Sequence, residues 1–197
     1  VFGAGVQARS QILALAAALG TLREIRVVGR SDGGAQGLID WARDQPDLAR
    51  VSVRGGSGDR ERWVREAVGD ADVVVTATSS AEPVFPGAAL ADGVHITAVG
   101  SFQPTARELD EDALRGARVF VDQRAAALAE AGELQGLQDR DVVEIGEVFA
   151  GRERGRTSAS ERTVFKSVGN AVQDLVVAAR AYERALELGV GEELSWP

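Results

Sequence analysis

Apolar positions along the chain follow two alternating periods. Short, nearly continuous apolar runs occur at Val1-Phe2, Ile25-Arg26-Val27-Val28, Val51-Ser52-Val53, Val73-Val74-Val75-Thr76, His95-Ile96-Thr97-Ala98-Val99 and Arg118-Val119-Phe120-Val121. Runs of this length, rich in β-branched residues, predict strands covered on both faces, as in a parallel sheet. Between them the spacing becomes helical, over Val6 to Leu19, Gly34 to Arg43 and Arg60 to Val68, with a short stretch near Ala88-Ala89-Leu90. Six strands joined by such crossovers predict an α/β fold with a doubly wound, mostly parallel sheet.

The alternation stops after Asp122. Residues 123–150 read as short helices and turns, and residues 151–161 as an exposed loop rich in Arg, Gly and Ser. Val168, Val172, Leu175, Ala179, Tyr182 and Leu186 then step by threes and fours, one apolar stripe on a long helix that Gly189 ends. The expected division is therefore a sheet domain over 1–150, a loop over 151–161, and a C-terminal strand and helix over 162–197.

Composition narrows the chemistry. The 197 residues carry a net charge of −8, which argues against nucleic acid or an anionic membrane as the main partner. Cysteine is absent and His95 is the single histidine, so thiolate nucleophiles and Cys/His metal sites are excluded. No apolar run approaches the ~18 residues of a membrane span, and a soluble, cytoplasmic protein is expected. There is no methionine, and the chain opens on Val1-Phe2-Gly3-Ala4-Gly5 as if in mid-strand. We therefore expect a further N-terminal part to belong to the protein.

Gly3-Ala4-Gly5-Val6-Gln7-Ala8 fits G-x-G-x-x-A between a strand and a helix, the setting in which that pattern binds a dinucleotide. Gly3 makes the tight turn, Gly5 lets a pyrophosphate approach the backbone, and Ala8 allows close helix packing. The next strand ends in Val28-Gly29-Arg30-Ser31 rather than in an acid. Arg30 and Ser31 suit a 2′-phosphate, so NADP(H) is favoured over NAD(H), although Asp32 lies close enough to serve a ribose hydroxyl. Thr76-Ala77-Thr78 and Val99-Gly100-Ser101 follow later strands, where ribose and nicotinamide are expected in such a sheet. His95 begins its strand, far from that edge, and reads as structural.

Taken together these segments resemble the ornithine cyclodeaminase/mu-crystallin family. The likeness runs through the glycine turn, Val75 to Ser80, Gly93 to Ser101, Val119-Phe120-Val121-Asp122, and most specifically Thr163-Val164-Phe165-Lys166-Ser167-Val168-Gly169 followed by Gln173-Asp174-Leu175. The resemblance implies a Rossmann-type domain whose C-terminal helix returns to a substrate and dimerisation domain, built largely from N-terminal residues, within a homodimer. It implies cofactor contacts at Gly3, Gly5, Val6 and Gln7, at Arg30 and Ser31, at Thr76, Ala77 and Thr78, and at Val99, Gly100 and Ser101. Ser167 and Gly169 would close the nicotinamide end, and Glu130 matches a position near the substrate.

Cyclodeaminases of this family carry an aspartate shortly after the glycine that ends the fifth strand. Here Gly100 is followed by Ser101-Phe102-Gln103-Pro104, a form similar to that of the ketimine reductases and mu-crystallin, with no acid before Glu108. The implied function is NAD(P)H-dependent reduction of a small cyclic imino acid, such as pyrroline- or piperideine-2-carboxylate, to the cyclic amino acid. Two alternatives stand beside it: an ornithine cyclodeaminase that recycles NAD, and a non-enzymatic NADP(H)-linked binding protein of mu-crystallin type. No catalytic residue and no metal ligand is nominated.

Overall fold

A computed structural model describes residues 1–56 and 58–194. Its elements in chain order are α1 (Val6–Ala18), β1 (Glu24–Val27), α2 (Asp32–Arg43), β2 (Ser52–Gly55), α3 (Arg60–Val68), β3 (Val73–Thr76) and β4 (His95–Ala98). There follow α4 (Glu111–Leu114), β5 (Arg118–Val121), α5 (Arg124–Glu130), β6 (Val142–Glu144), α6 (Ile145–Phe149), β7 (Thr163–Lys166) and α7 (Ala171–Leu188). Strands β1 and β2 pair with each other, and the remaining five lie in the order β3-β4-β7-β5-β6. Every strand pair is parallel.

Val1 and Phe2 join the two sheets. Phe2 bridges Val28 on one side and Thr76 on the other, so the first residues lie between β1 and β3. Its amide donates to the Val75 carbonyl at 2.7 Å, and its carbonyl accepts from the Ala77 amide at 2.9 Å. The ring is buried beside Phe85, with centroids 5.1 Å apart. The combined order is that of a doubly wound sheet, in which ligands collect at the carboxyl ends of the strands nearest the reversal.

Local signals explain most boundaries. Ser31 caps α2 by accepting from the Gly34 amide at 3.3 Å, and Asp59 caps α3 by accepting from the Glu61 amide at 2.9 Å. Gly189 closes α7 in the left-handed conformation at φ 64°, a geometry costly for residues with a Cβ. Helix α1 differs: Gly5 precedes it with no side-chain cap, and no acid stands in its first turn.

Two features depart from the six-strand expectation. Thr163–Lys166 inserts as a strand between β4 and β5, in the middle of the sheet and sequence-remote from both neighbours. Val164 is fully buried and the strand is paired along both edges, so it belongs physically to the sheet rather than with the helix that follows. Val142–Glu144 also forms an edge strand on β5, within the segment expected to hold only helices and turns. Helix α7, by contrast, leaves the packed body: none of its 18 residues is buried.

Candidate functional site

The carboxyl ends of β1, β3 and β4 and the turn before α1 enclose a cleft of ≈ 750 Å³, a size typical of sites for small ligands and cofactors. Gly3, Gly5, Gln7, Arg30, Ser31, Ala77, Thr78, Val99 and Gly100 line it. The turn is shaped by contact. Gly3 holds φ 106°, and a Cβ there would strike the Ala77 carbonyl group. A Cβ on Gly5 would meet nothing within 4 Å, so this backbone lies open to the cleft beside the uncapped amides of α1. A free helix N-terminus behind an open glycine suits a pyrophosphate, and the residues present fit a dinucleotide.

At the other end of the cleft, Arg30 is exposed and Arg60 reaches across from α3 to donate to the Gly29 carbonyl. Sequence reading did not single out Arg60: in one dimension it is only the first residue of a helix. The two cations flank the same strand end because α3 packs over β1, where the Trp63 indole donates to the Val27 carbonyl at 3.1 Å.

Other candidates lie behind or away from the cleft. Val6 is 78% exposed at the start of α1 and does not line it. Thr76 and Ser101 are buried, turned toward two carboxylates rather than toward the opening. Ser167 and Gly169 gather round Asp122, whose Oδ2 accepts from the Ser167 hydroxyl and the Gly169 amide, each at 2.8 Å. This brace fixes the turn between β7 and α7 to the end of β5. Glu130 is exposed at the end of α5 and does not line the cleft.

The network behind the cleft floor was not foreseen. Glu108 is fully buried and accepts four hydrogen bonds. Its Oε1 takes the Thr78 amide and hydroxyl, each at 2.7 Å, and its Oε2 takes the Gly100 amide at 2.7 Å and the Thr76 hydroxyl at 2.8 Å. One side chain thereby clamps the ends of β3 and β4 together. Beside it, Lys166 donates to the Ser101 carbonyl at 2.6 Å and hydroxyl at 3.0 Å, and pairs with Glu133 at 3.3 Å. The Ser101 hydroxyl donates to Glu133 at 2.7 Å. Of the six buried polar or charged residues among the described ones, five belong to this network, so the core's polar content is concentrated under the cleft.

His95 is accounted for elsewhere. Its ring lies between the hydroxyls of Thr163 at 2.8 Å and Thr97 at 3.2 Å. Burial and then the positive charge of Arg156 hold its imidazole below the ordinary value, favouring the neutral ring. It stands at the amino end of β4, across the sheet from the cleft. Among the described residues no cluster of His, Cys, Asp or Glu could hold a metal ion, and no helix is long and apolar enough to cross a membrane.

Comparison with known proteins agrees with this geometry. The sequence profile of the ornithine cyclodeaminase/mu-crystallin family matches residues 1–189. The chain is 45% identical over 139 residues to a Delta(1)-pyrroline-2-carboxylate reductase of Bacillus cereus, covering 66% of this chain and 42% of that protein. It is 36% identical over 184 residues to the mouse ketimine reductase mu-crystallin, covering 93% of this chain and 54% of the relative. Among solved structures it resembles the Thermococcus litoralis Delta(1)-pyrroline-2-carboxylate reductase in complex with NADH and L-proline. That match has a TM-score of 0.85 and 31% identity, covering 98% of this chain and 59% of the other. The chain thus spans about half the length of the relatives it matches.

Proposed function

Because the chain belongs to the ornithine cyclodeaminase/mu-crystallin family, we propose that the whole protein reduces a small cyclic imino acid to the corresponding cyclic amino acid with a nicotinamide cofactor. One observation carries the choice of chemistry: among the described residues, no Asp or Glu lines the cleft. Cyclodeamination needs a base at the amine, and the two acids bonded to the ends of β3 and β4, Glu108 and Glu133, are buried behind the floor with their oxygens engaged. A reduction asks less of the chain. It needs a cofactor held at the strand ends, water kept out, and an acceptor that arrives as the protonated imine.

The cofactor, when bound, supplies the hydride; this chain's residues bind and orient. Gly3, Gly5 and Gln7, with the amides of α1, hold the pyrophosphate, and Ala77, Thr78, Val99 and Gly100 face the ribose and nicotinamide side. Val6, Thr76, Ser101, Ser167 and Gly169 act from the shell around these, through backbone and loop position. Arg30 and Ser31 favour NADP(H) over NAD(H). Phe102, 60% exposed at the cleft, offers an apolar wall to a ring-shaped substrate.

On α7, Leu175, Val176 and Tyr182 are each more than 60% exposed. They support packing of this helix on a substrate and dimerisation domain formed by the rest of a homodimeric protein. A cytoplasmic location belongs to the same proposal, supported by a chemistry that draws on reduced nicotinamide. The test is made on the whole protein: NADPH absorbance is followed with pyrroline-2-carboxylate, and ammonia is assayed with ornithine. NADPH oxidation without ammonia is expected; ammonia from ornithine without net oxidation would overturn the reading.

A further inference from the structure

The ions buried behind the cleft floor do not cancel. Lys166 pairs with Glu133, whereas among the described residues Glu108 is met only by two backbone amides and two hydroxyls, which solvate a charge without neutralising it. Two of those four donors are backbone N–H groups that cannot accept, and each carboxylate oxygen takes two donors, the bonding of the ionised form. Two carboxylates and one ammonium leave one negative charge. It is shielded from solvent, so salt and water screen it little.

The position of that charge gives it a use. Glu108 bonds directly to Thr78 and Gly100, both of which line the cleft, and a Cβ on Gly100 would crowd its carboxylate. Hydride donation turns a neutral nicotinamide ring into a cation, while a protonated imine becomes a neutral amine. One positive charge therefore passes to the ring. We propose that Glu108, with the Glu133–Lys166 pair beside it, is a fixed negative charge that stabilises the oxidised, cationic nicotinamide over the reduced one. The bound cofactor is thereby made a stronger hydride donor by a residue that does not touch it. This rests on the reading that the ends of β3 and β4 face the nicotinamide.

The test is a ratio of affinities, measured on the whole protein by titration calorimetry with NADP⁺ and with NADPH. Removing a unit charge across one layer of backbone, at an effective dielectric of about 20 to 40, is expected to weaken NADP⁺ relative to NADPH by about fivefold to thirtyfold. Glu108→Gln should show that shift. Glu108→Asp keeps the charge, so it should weaken both forms together and leave their ratio within about twofold. In Glu133→Gln, Lys166 keeps its bonds to Ser101 and its charge offsets that of Glu108, which moves the ratio the same way. That variant carries the test if a thermal melt shows that Glu108→Gln does not fold. Equal weakening of both forms in the neutral variants would overturn the inference and reduce Glu108 to a clamp. If the wild type bound neither form, the cofactor reading itself would fall, and the inference with it.

Discussion

Replacing Lys166 with methionine tests whether the buried network is as tightly coupled as its geometry states. The side chain is fully buried, and methionine fills most of its volume, so the cavity term is small. What is lost is the pair with Glu133 at 3.3 Å and two hydrogen bonds to Ser101, at 2.6 and 3.0 Å. Among the described residues, Glu133 is then left buried with only the Ser101 hydroxyl and the Glu108 amide. Breaking one side of a buried ion pair costs about 3–5 kcal/mol, because the remaining charge is buried without a counter-ion. For a chain of this size, each kcal/mol lowers the thermal midpoint by about 2–4 °C, so a fall of about 6–20 °C is expected. Urea unfolding followed by circular dichroism gives the free energy, and a thermal melt gives the midpoint. The double variant Lys166→Met/Glu133→Leu removes both charges and should recover most of the loss. A single variant within about 1 kcal/mol of wild type, or a double variant no more stable than the single, would refute the reasoning.

Further outcomes follow from other residues. Arg30→Asp should weaken NADPH by about ten- to a hundredfold and leave NADH nearly unchanged, by fluorescence titration; an unchanged preference removes Arg30 from the site. Arg60→Ala should weaken both cofactors several-fold in the same titration, since it releases the Gly29 carbonyl at the strand end. Gly3→Ala forces a Cβ against the Ala77 carbonyl at a left-handed backbone, costing about 1–3 kcal/mol by strain alone. It should lower both the melting midpoint and cofactor affinity. For His95, whose folded value is depressed below 6.5, the unfolded chain binds the proton more readily. Its contribution to stability is therefore complete above pH 6.5 and is lost as the pH falls below it, toward the lower folded value. His95→Asn should flatten the urea midpoint against pH in that acid range, and an undiminished slope would place the effect elsewhere.

The alternating periods of the chain were enough to predict the parallel sheet, and the match of α3 to Arg60–Val68 shows how well local capping and apolar spacing mark a helix. The glycine turn was equally legible, since its conformation and its place between strand and helix are local properties. Thr163–Lys166 was recognised as a motif but not as a central strand, because parallel pairing with β4 and β5 joins segments far apart in the chain and leaves no periodic trace. The same holds for Arg60 at the strand end and for Glu108, Glu133 and Lys166. Nothing in their spacing along the chain pairs them, and only folding brings the last three together in a dry interior where their partners are decided. Sequence alone determined the alternation of strand and helix and the glycine turn, which depend on near neighbours and backbone freedom. The tertiary structure decided where charge is buried, because burial and pairing are properties of contacts made across the whole chain.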